Sequence, residues 1–328
     1  MYVLGIETSC DETSASVVKD GRTVLSNIVA SSLNQHKKYG GIIPEIAFRM
    51  QLDTITGVTD SALKEAKLKL NDIKLVSVTS GPGLLGSLLV GISFAKAISF
   101  SGKIPLLGVN HLYGHIYAAF LNNNKLELPF VALVVSGGHT SLLYIKDFDK
   151  IELLGSTRDD ACGEAFDKVA KILKLGYPGG PVIERMAQGG NPGKIKFNCS
   201  NTKDPLDFSF SGIKTAVLYC IRDTPRPQLA QIKDISASFQ ETVINTLVKK
   251  SMLACKMKKQ KLLVVAGGVA ANNRLREKFL QAAGENSIKC LFPEKKLCMD
   301  NAAMVAGLGY HLHKLGYDSS LGISADLG

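Results

Sequence analysis

His111 and His115 stand four positions apart in the stretch Asn110-His111-Leu112-Tyr113-Gly114-His115. On a helix this spacing puts two imidazoles one turn apart on one face, so both can turn a ring nitrogen toward a single cation. Helical zinc proteases share the spacing, but they need a glutamate directly after the first histidine as general base, and Leu112 holds that place here. A metal is therefore indicated and the reaction stays open. The plainer alternative is a pair of partly buried histidines satisfied by backbone carbonyls.

Other polar groups fall at the tips of apolar hairpins. Tyr2–Glu7 reads as a buried strand, then comes a turn carrying Asp11 and Glu12, then a second strand at Ala15–Val18. The design recurs later: Val131–Val135, the tip Ser136-Gly137-Gly138-His139-Thr140, then Ser141–Ile145. Glycine amides at such a tip can approach an anionic oxygen with no Cβ in the way. A third element, the strand Leu262–Ala266, runs into Gly267-Gly268-Val269-Ala270-Ala271-Asn272-Asn273-Arg274, where a helix begins. Strand, glycine turn and helix N-terminus together make a common seat for anions or a nucleoside. This third element carries neither G-x-G-x-x-G nor G-K-[ST], so it supports neither a dinucleotide fold nor a P-loop. Two such hairpins and a glycine turn suggest a cleft between two related lobes.

The elements that must position these groups are readable in outline. Gly163–Leu175 places Phe166, Val169, Ala170 and Leu173 on one helical face, leaving Asp167 to point into a cleft or into solvent. Tyr177-Pro178-Gly179-Gly180-Pro181 breaks that helix and Val182 starts the next. Gly189 to Pro205 reads as a surface loop, and Ser236 opens a long helix through Lys250. Asp300 lies just before Ala302–Ala306, where its ordinary role is an N-cap. The longest apolar run, Leu84 to Phe100, holds Lys96 and several Gly and Ser, as expected of a buried helix rather than a membrane span.

A chain of 328 residues accommodates two lobes, each with its own core, and 45% hydrophobic with 21% charged residues is a globular composition. Seven scattered cysteines without a C-x-x-C pair exclude a disulfide framework or zinc knuckle and fit a reducing cytoplasm. No cationic and apolar leader precedes the first strand, so no secretory signal is expected. A net charge of +10 and a pI near 9.1 point to an anionic partner such as RNA, a nucleotide or an acidic protein. The lysine clusters carry no interleaved aromatics, which favours phosphate attraction over base stacking.

Taken in order, Gly5-Ile6-Glu7-Thr8-Ser9-Cys10-Asp11-Glu12-Thr13, Gly81-Pro82-Gly83, Asn110 through His115, Ser136 through Thr140, Phe208-Ser209-Phe210-Ser211-Gly212-Ile213-Lys214 and Gly267 through Asn272 closely resemble one family. It is that of the bacterial tRNA N6-adenosine threonylcarbamoyltransferases (TsaD), formerly called O-sialoglycoprotein endopeptidases. The similarity runs from Val3 to Gly309. It implies an α/β fold of the actin, Hsp70 and sugar kinase type, two ribonuclease-H-like lobes with a nucleotide and metal cleft between them. The expected division is 1–108, completed by a C-terminal helix at about 302–328, against 109–301.

The resemblance also implies the reaction: transfer of threonylcarbamoyl from threonylcarbamoyl-AMP to N6 of adenosine 37 in tRNAs that read codons beginning with A, with release of AMP. His111, His115 and Asp300 would hold a divalent metal, expected to be iron, with zinc, manganese or magnesium as alternatives. Val134, Val135, Ser136, Gly137, Gly138, Asp167, Gly180, Glu184 and Asn272 would line the site for substrate and an ATP- or AMP-type nucleotide. Asp11, Glu12 and His139 are the candidates for proton handling. Archaeal and eukaryotic relatives place a metal-binding tyrosine where this chain has Val134, so water or substrate phosphate would complete the shell. Expected partners are tRNA, the related protein TsaB as a heterodimer and the ATPase TsaE, with a TsaC-type synthase supplying the intermediate and a homodimer as the alternative without TsaB. The expected location is the cytoplasm, with no membrane. The competing functions are a metal-dependent glycoprotein endopeptidase and a kinase of the same superfamily.

Overall fold

In the computed structural model, which describes residues 1–122, 125–222 and 227–326, the chain forms two compact units, Met1–Leu126 with Pro293–Gly328, and Glu127–Phe292. The first unit opens with an antiparallel meander of β1 (Tyr2–Glu7), β2 (Glu12–Lys19) and β3 (Thr23–Ser31). It continues through α1 (Leu33–Lys37), α2 (Pro44–Glu65), β4 (Ile73–Gly81), α3 (Leu85–Gly102), β5 (Leu106–Asn110) and α4 (His111–Tyr117). The sheet order is β3-β2-β1-β4-β5, with β4 parallel to β1 and β5 parallel to β4. Leu4 and Ile6 of β1 and Val76 and Val78 of β4 meet Ile55 of α2 and Leu88 and Ile92 of α3 in one core. Burial of each such side chain contributes about 1.5–3 kcal/mol.

The second unit repeats the plan. Its meander is β6 (Phe130–Val135), β7 (Thr140–Asp147) and β8 (Lys150–Ser156), followed by α5 (Cys162–Ile172), α6 (Gly179–Ala187), α7 (Ser211–Arg222) and α8 (Leu229–Lys258). Then come β9 (Leu262–Ala266), α9 (Asn273–Glu285) and β10 (Lys289–Leu291). The order β8-β7-β6-β9-β10 has the same connectivity as the first sheet, so the duplicated hairpins seen in the sequence are duplicated folds. β6 and β9 are buried along their whole length, as parallel strands covered on both faces require. Phe166 of α5 and Phe239 of α8 meet edge to face at 5.0 Å.

The chain then returns to the first unit as α10 (Ala302–Lys314), which packs on β1, β2 and β4. Gly5 alternates with Leu4 and Ile6 and so faces α10. A Cβ there would lie 2.2 Å from the Ala302 carbonyl oxygen, so glycine lets the start of α10 approach the sheet.

Three expectations are corrected. The break expected at 108/109 would cut β5, which spans Leu106–Asn110; α4 also packs on β4, β5 and α10, which keeps His111 and His115 in the first unit. The second crossing falls at 292/293, so Asp300 is in that unit too, and the last two residues of the expected 302–328 segment lie outside the described residues. The apolar run at Leu84–Phe100 is not buried all round. Helix α3 packs one face on β4 and α2 and exposes Leu85, Leu89 and Phe100 on the other. By length and composition it is the one helix among the described residues able to cross a membrane.

Candidate functional site

The metal-type cluster is built in the first unit by two chain reversals. Strand β5 ends at Asn110, whose side chain accepts from the amides of Leu112 (2.9 Å) and Tyr113 (3.2 Å) and so caps α4. His111 is therefore the first helical residue and His115 lies one turn on; their rings meet edge to face at 4.6 Å. From the other side, Asp300 brings Oδ1 to 3.1 Å from His115 Nε2 and 3.6 Å from His111 Nε2. One ligand-type atom from each of the three residues lies within 4.8 Å of the others. Neither ring nitrogen of His115 forms a well-oriented hydrogen bond among the described residues, although Nε2 is close to Asp300. A buried imidazole left so costs free energy unless a further group takes its lone pair. The three side chains fit a divalent cation better than they fit one another.

Asp300 is not the cap of α10 that its position suggested. Asn301 takes that role, accepting from the Met304 amide at 3.2 Å, and the Ala302 amide is tied to Ser14 Oγ of β2 at 2.9 Å. Capping by the next residue leaves the Asp300 carboxylate to face the histidines.

Asp11 stands in the β1–β2 turn of the same unit and Glu12 opens β2. Burial, with the charges of Asp300 and Asp11 nearby, pushes the Glu12 carboxyl up to about 10. Gln51 of α2 holds the turn, its Nε2 donating to the carbonyls of Cys10 and Glu12, both at 3.0 Å.

The remaining expected residues lie in the second unit. Val134 and Val135 are fully buried within β6, so they can offer a ligand only their main chain. Ser136 and His139 close the β6–β7 turn: the Ser136 amide donates to the His139 carbonyl (2.9 Å) and the His139 amide to Ser136 Oγ (3.1 Å). Gly137 and Gly138 are exposed, with open space where a Cβ would stand. Gly267, at φ +94°, would place a Cβ 2.4 Å from the Val135 carbonyl oxygen; only glycine fits that close approach.

Asp167 does not simply point outward. Its Oδ1 accepts from the Gly179 amide at 2.6 Å, tying α5 to the first turn of α6. Burial raises its pKa against that hydrogen bond. Gly179 and Gly180 thus open α6 rather than precede it, a correction to the expected start at Val182. Glu184 Oε1 accepts from the amide and the side chain of Asn273, both at 2.8 Å. Asn272 caps α9 through the Leu275 amide (2.9 Å) and donates to Gln240 (2.8 Å). Asp167, Glu184 and Asn272 are therefore parts of one bonded frame around the starts of α6 and α9.

The family model for tRNA N6-adenosine threonylcarbamoyltransferase, TsaD, matches residues 23–307. The chain belongs to this family. A Clostridium kluyveri protein named tRNA N6-adenosine threonylcarbamoyltransferase is 50% identical, covering 99% of this chain and 96% of its own length. One of the same name from Syntrophus aciditrophicus is 49% identical, with 99% and 96% covered. Among solved structures, HypF of T. kodakarensis superposes with a TM-score of 0.64 at 15% identity, over 95% of this chain and 47% of that one. The activator of the 2-hydroxyisocaproyl-CoA dehydratase of Clostridium difficile superposes at 0.53 and 15% identity, over 96% and 97%. These likenesses bear out the actin, Hsp70 and sugar kinase fold. The family's reaction, threonylcarbamoyl transfer to N6 of adenosine in tRNA, is the activity of this chain, an acyl-type transferase.

Placed in the TsaD family, the cluster also shows residues that motif reading passed over. Glu7, buried completely, has Oε2 at 3.1 Å from His111 Nδ1 and 2.5 Å from Thr79 Oγ1, while Oε1 accepts from the Ser9 amide at 2.5 Å. Ser9 Oγ lies 3.1 Å from the same Nδ1. Burial alone would push the Glu7 carboxyl up, but His111 beside it outweighs this and holds it below the usual glutamate range. Burial alone would lower His111; Asp300 and then Glu7 push it up instead, to about 9. The signal for Glu7 was a carboxylate closing an otherwise apolar strand, a position where a charge is costly unless paired.

Proposed function

We propose that the acyl donor is threonylcarbamoyl-AMP and the acceptor adenosine 37 of tRNAs reading codons that begin with A, with His111, His115 and Asp300 holding a divalent cation, iron by expectation. The observation that carries this reading is the convergence of the three ligand atoms around a His115 ring with no well-oriented hydrogen bond of its own among the described residues. When bound there, the cation supplies Lewis acidity toward phosphate and carbonyl oxygens. The donor is a mixed anhydride, so AMP is a good leaving group and the chain's work is positioning and charge stabilisation. N6 bonds to the carbamoyl carbon, the bond from that carbon to the phosphate oxygen breaks, and N6 gives up one proton.

The main chain at the exposed Gly137 and Gly138 suits a phosphate or carboxylate oxygen. Asp167, Gly180, Glu184 and Asn272, with the main chain at Val134, Val135 and Ser136, are assigned to the nucleotide and the threonyl group. Asp11 and His139 are the candidate acceptors for the N6 proton. Glu12, whose carboxyl burial pushes up, is assigned to donating a hydrogen bond. The net charge of +10 favours the tRNA backbone, and a tRNA substrate fits a cytoplasmic protein.

For the partner TsaB, the exposed side of α2 and α3 is the surface we assign. Leu52, Ile55, Leu89 and Phe94 line a groove there of about 430 Å³, and Leu52 and Leu89 are exposed in the isolated chain. TsaE and a TsaC-type synthase complete the expected system. Purified chain, TsaB, TsaE, tRNA and threonylcarbamoyl-AMP should yield modified tRNA and AMP in equal amounts, and His115→Ala should abolish the transfer. A His115→Ala chain that transfers at the full rate would refute the metal assignment. Glycoprotein cleavage is disfavoured by Leu112, which cannot act as a base.

A further inference from the structure

We propose that Glu7 is the positioning residue of the metal centre, the carboxylate that fixes the tautomer and ring plane of His111 so that Nε2 presents a lone pair beside Asp300. The inference rests on the metal reading above and adds a residue to it. Four distances carry it. Oε2 of Glu7 lies 3.1 Å from His111 Nδ1 and 2.5 Å from the Thr79 hydroxyl. Oε1 accepts the Ser9 amide at 2.5 Å, and His111 Nε2 lies 3.6 Å from Asp300 Oδ1.

Each oxygen of Glu7 thus accepts from a group on a neighbouring segment, Thr79 on β4 and Ser9 just past β1. The carboxylate cannot swing away without breaking both bonds. An ionised carboxylate only accepts, so the hydrogen between it and the ring must sit on Nδ1. A neutral imidazole with its hydrogen on Nδ1 has its lone pair on Nε2, the nitrogen that points at Asp300. Ser9 Oγ, also 3.1 Å from Nδ1, is a second acceptor for the same hydrogen.

Stability gives a weaker reason for a charge at this place. Glu7 is completely buried at the end of a strand whose other inward residues are apolar, and a buried ion pair is often replaceable by apolar side chains at no loss. An outer carboxylate that orients a ligating histidine, by contrast, is a recurrent need of metal sites, and its loss typically costs about 10–100-fold in metal affinity.

The test uses the full chain, stripped of metal and titrated with Co(II) or Zn(II) against a chelator of known affinity. Glu7→Gln keeps the shape and removes the charge. We expect it to fold, to bind the metal about 10–100-fold more weakly and to shift the visible Co(II) spectrum, with Glu7→Asp recovering part of the affinity. Long-range proton–nitrogen NMR on the wild-type Zn(II) form should show the His111 hydrogen on Nδ1, and this measurement stands even if a Glu7 variant does not fold. Thr79→Val, which removes one tether and leaves the charge, should give a smaller loss than Glu7→Gln. Wild-type-like affinity and spectrum in Glu7→Gln, or a hydrogen on Nε2 of His111, overturns the proposal while leaving the metal reading intact. A wild-type chain that binds neither ion overturns both.

Discussion

At the proposed metal site a proton and a cation would compete for the same ring nitrogen, and His111 is where that competition can be read. Its pKa of about 9 in the metal-free chain exceeds the ordinary 6.5. The stabilisation from a raised pKa is fully present below pH about 6.5 and is lost as pH rises through about 9. Melting curves of the metal-free chain should therefore fall over that interval, and saturating metal should flatten the dependence. Because the cation needs the unprotonated ring, binding at neutral pH should release about one proton, which calorimetry in buffers of different ionisation heat measures directly. Removing a ligand should cost more than removing its support, so His115→Ala should lose more than the about 10–100-fold typical of an outer partner. Of these residues, His111 and His115 were legible from their spacing and Asp300 only from the family resemblance. Glu7, Ser9 and Gln51 were not, because their roles depend on neighbours 104, 102 and about 40 positions away in sequence.

At the level of elements, the centre depends on where α10 begins. Asn301 caps that helix and sends Nδ2 to the carbonyls of Leu297 and Met299. Asn301→Ala should cost about 1–2 kcal/mol, a drop of roughly 2–4 °C in melting temperature per kcal/mol for a chain of this size. Gly5→Ala should be worse, since its Cβ would meet the Ala302 carbonyl oxygen at 2.2 Å, and rigid backbone overlap of this kind costs about 1–3 kcal/mol or more. Both changes displace Asp300 and should weaken metal binding in the same titration. Sequence patterning placed β1 correctly but shortened β2, observed at Glu12–Lys19. The cause is that Ser14, before Ala15, buries its hydroxyl by donating to the carbonyl of Ile28, so a polar residue of the strand sits where alternation suggests turn. Helix α8 likewise extends beyond the expected Ser236–Lys250 to Leu229–Lys258. It ends at Lys259 in a left-handed conformation, which a lysine does not advertise.

Across the whole molecule, the duplicated fold was readable because each meander repeats apolar strand, polar tip and apolar strand. The division between units was less so: the polar run at 122–125 beside Leu126 is short, and it is the pairing of β5 with β4 and the packing of α4 on β4, β5 and α10 that show where α4 belongs. A transferase acting on tRNA with a strongly basic chain should bind it with a marked salt dependence, falling linearly in log–log form as phosphate contacts are screened. That slope is a property of the full surface and should be unchanged by His115→Ala, which separates substrate binding from the chemistry at the cluster. The most direct test of the account is single-turnover formation of threonylcarbamoyladenosine by the chain with its partners, before chelation, after removal of metal to stoichiometric absence, and after return of ferrous iron. Transfer should be lost on removal and recover on return. Full transfer by the metal-free chain would contradict it.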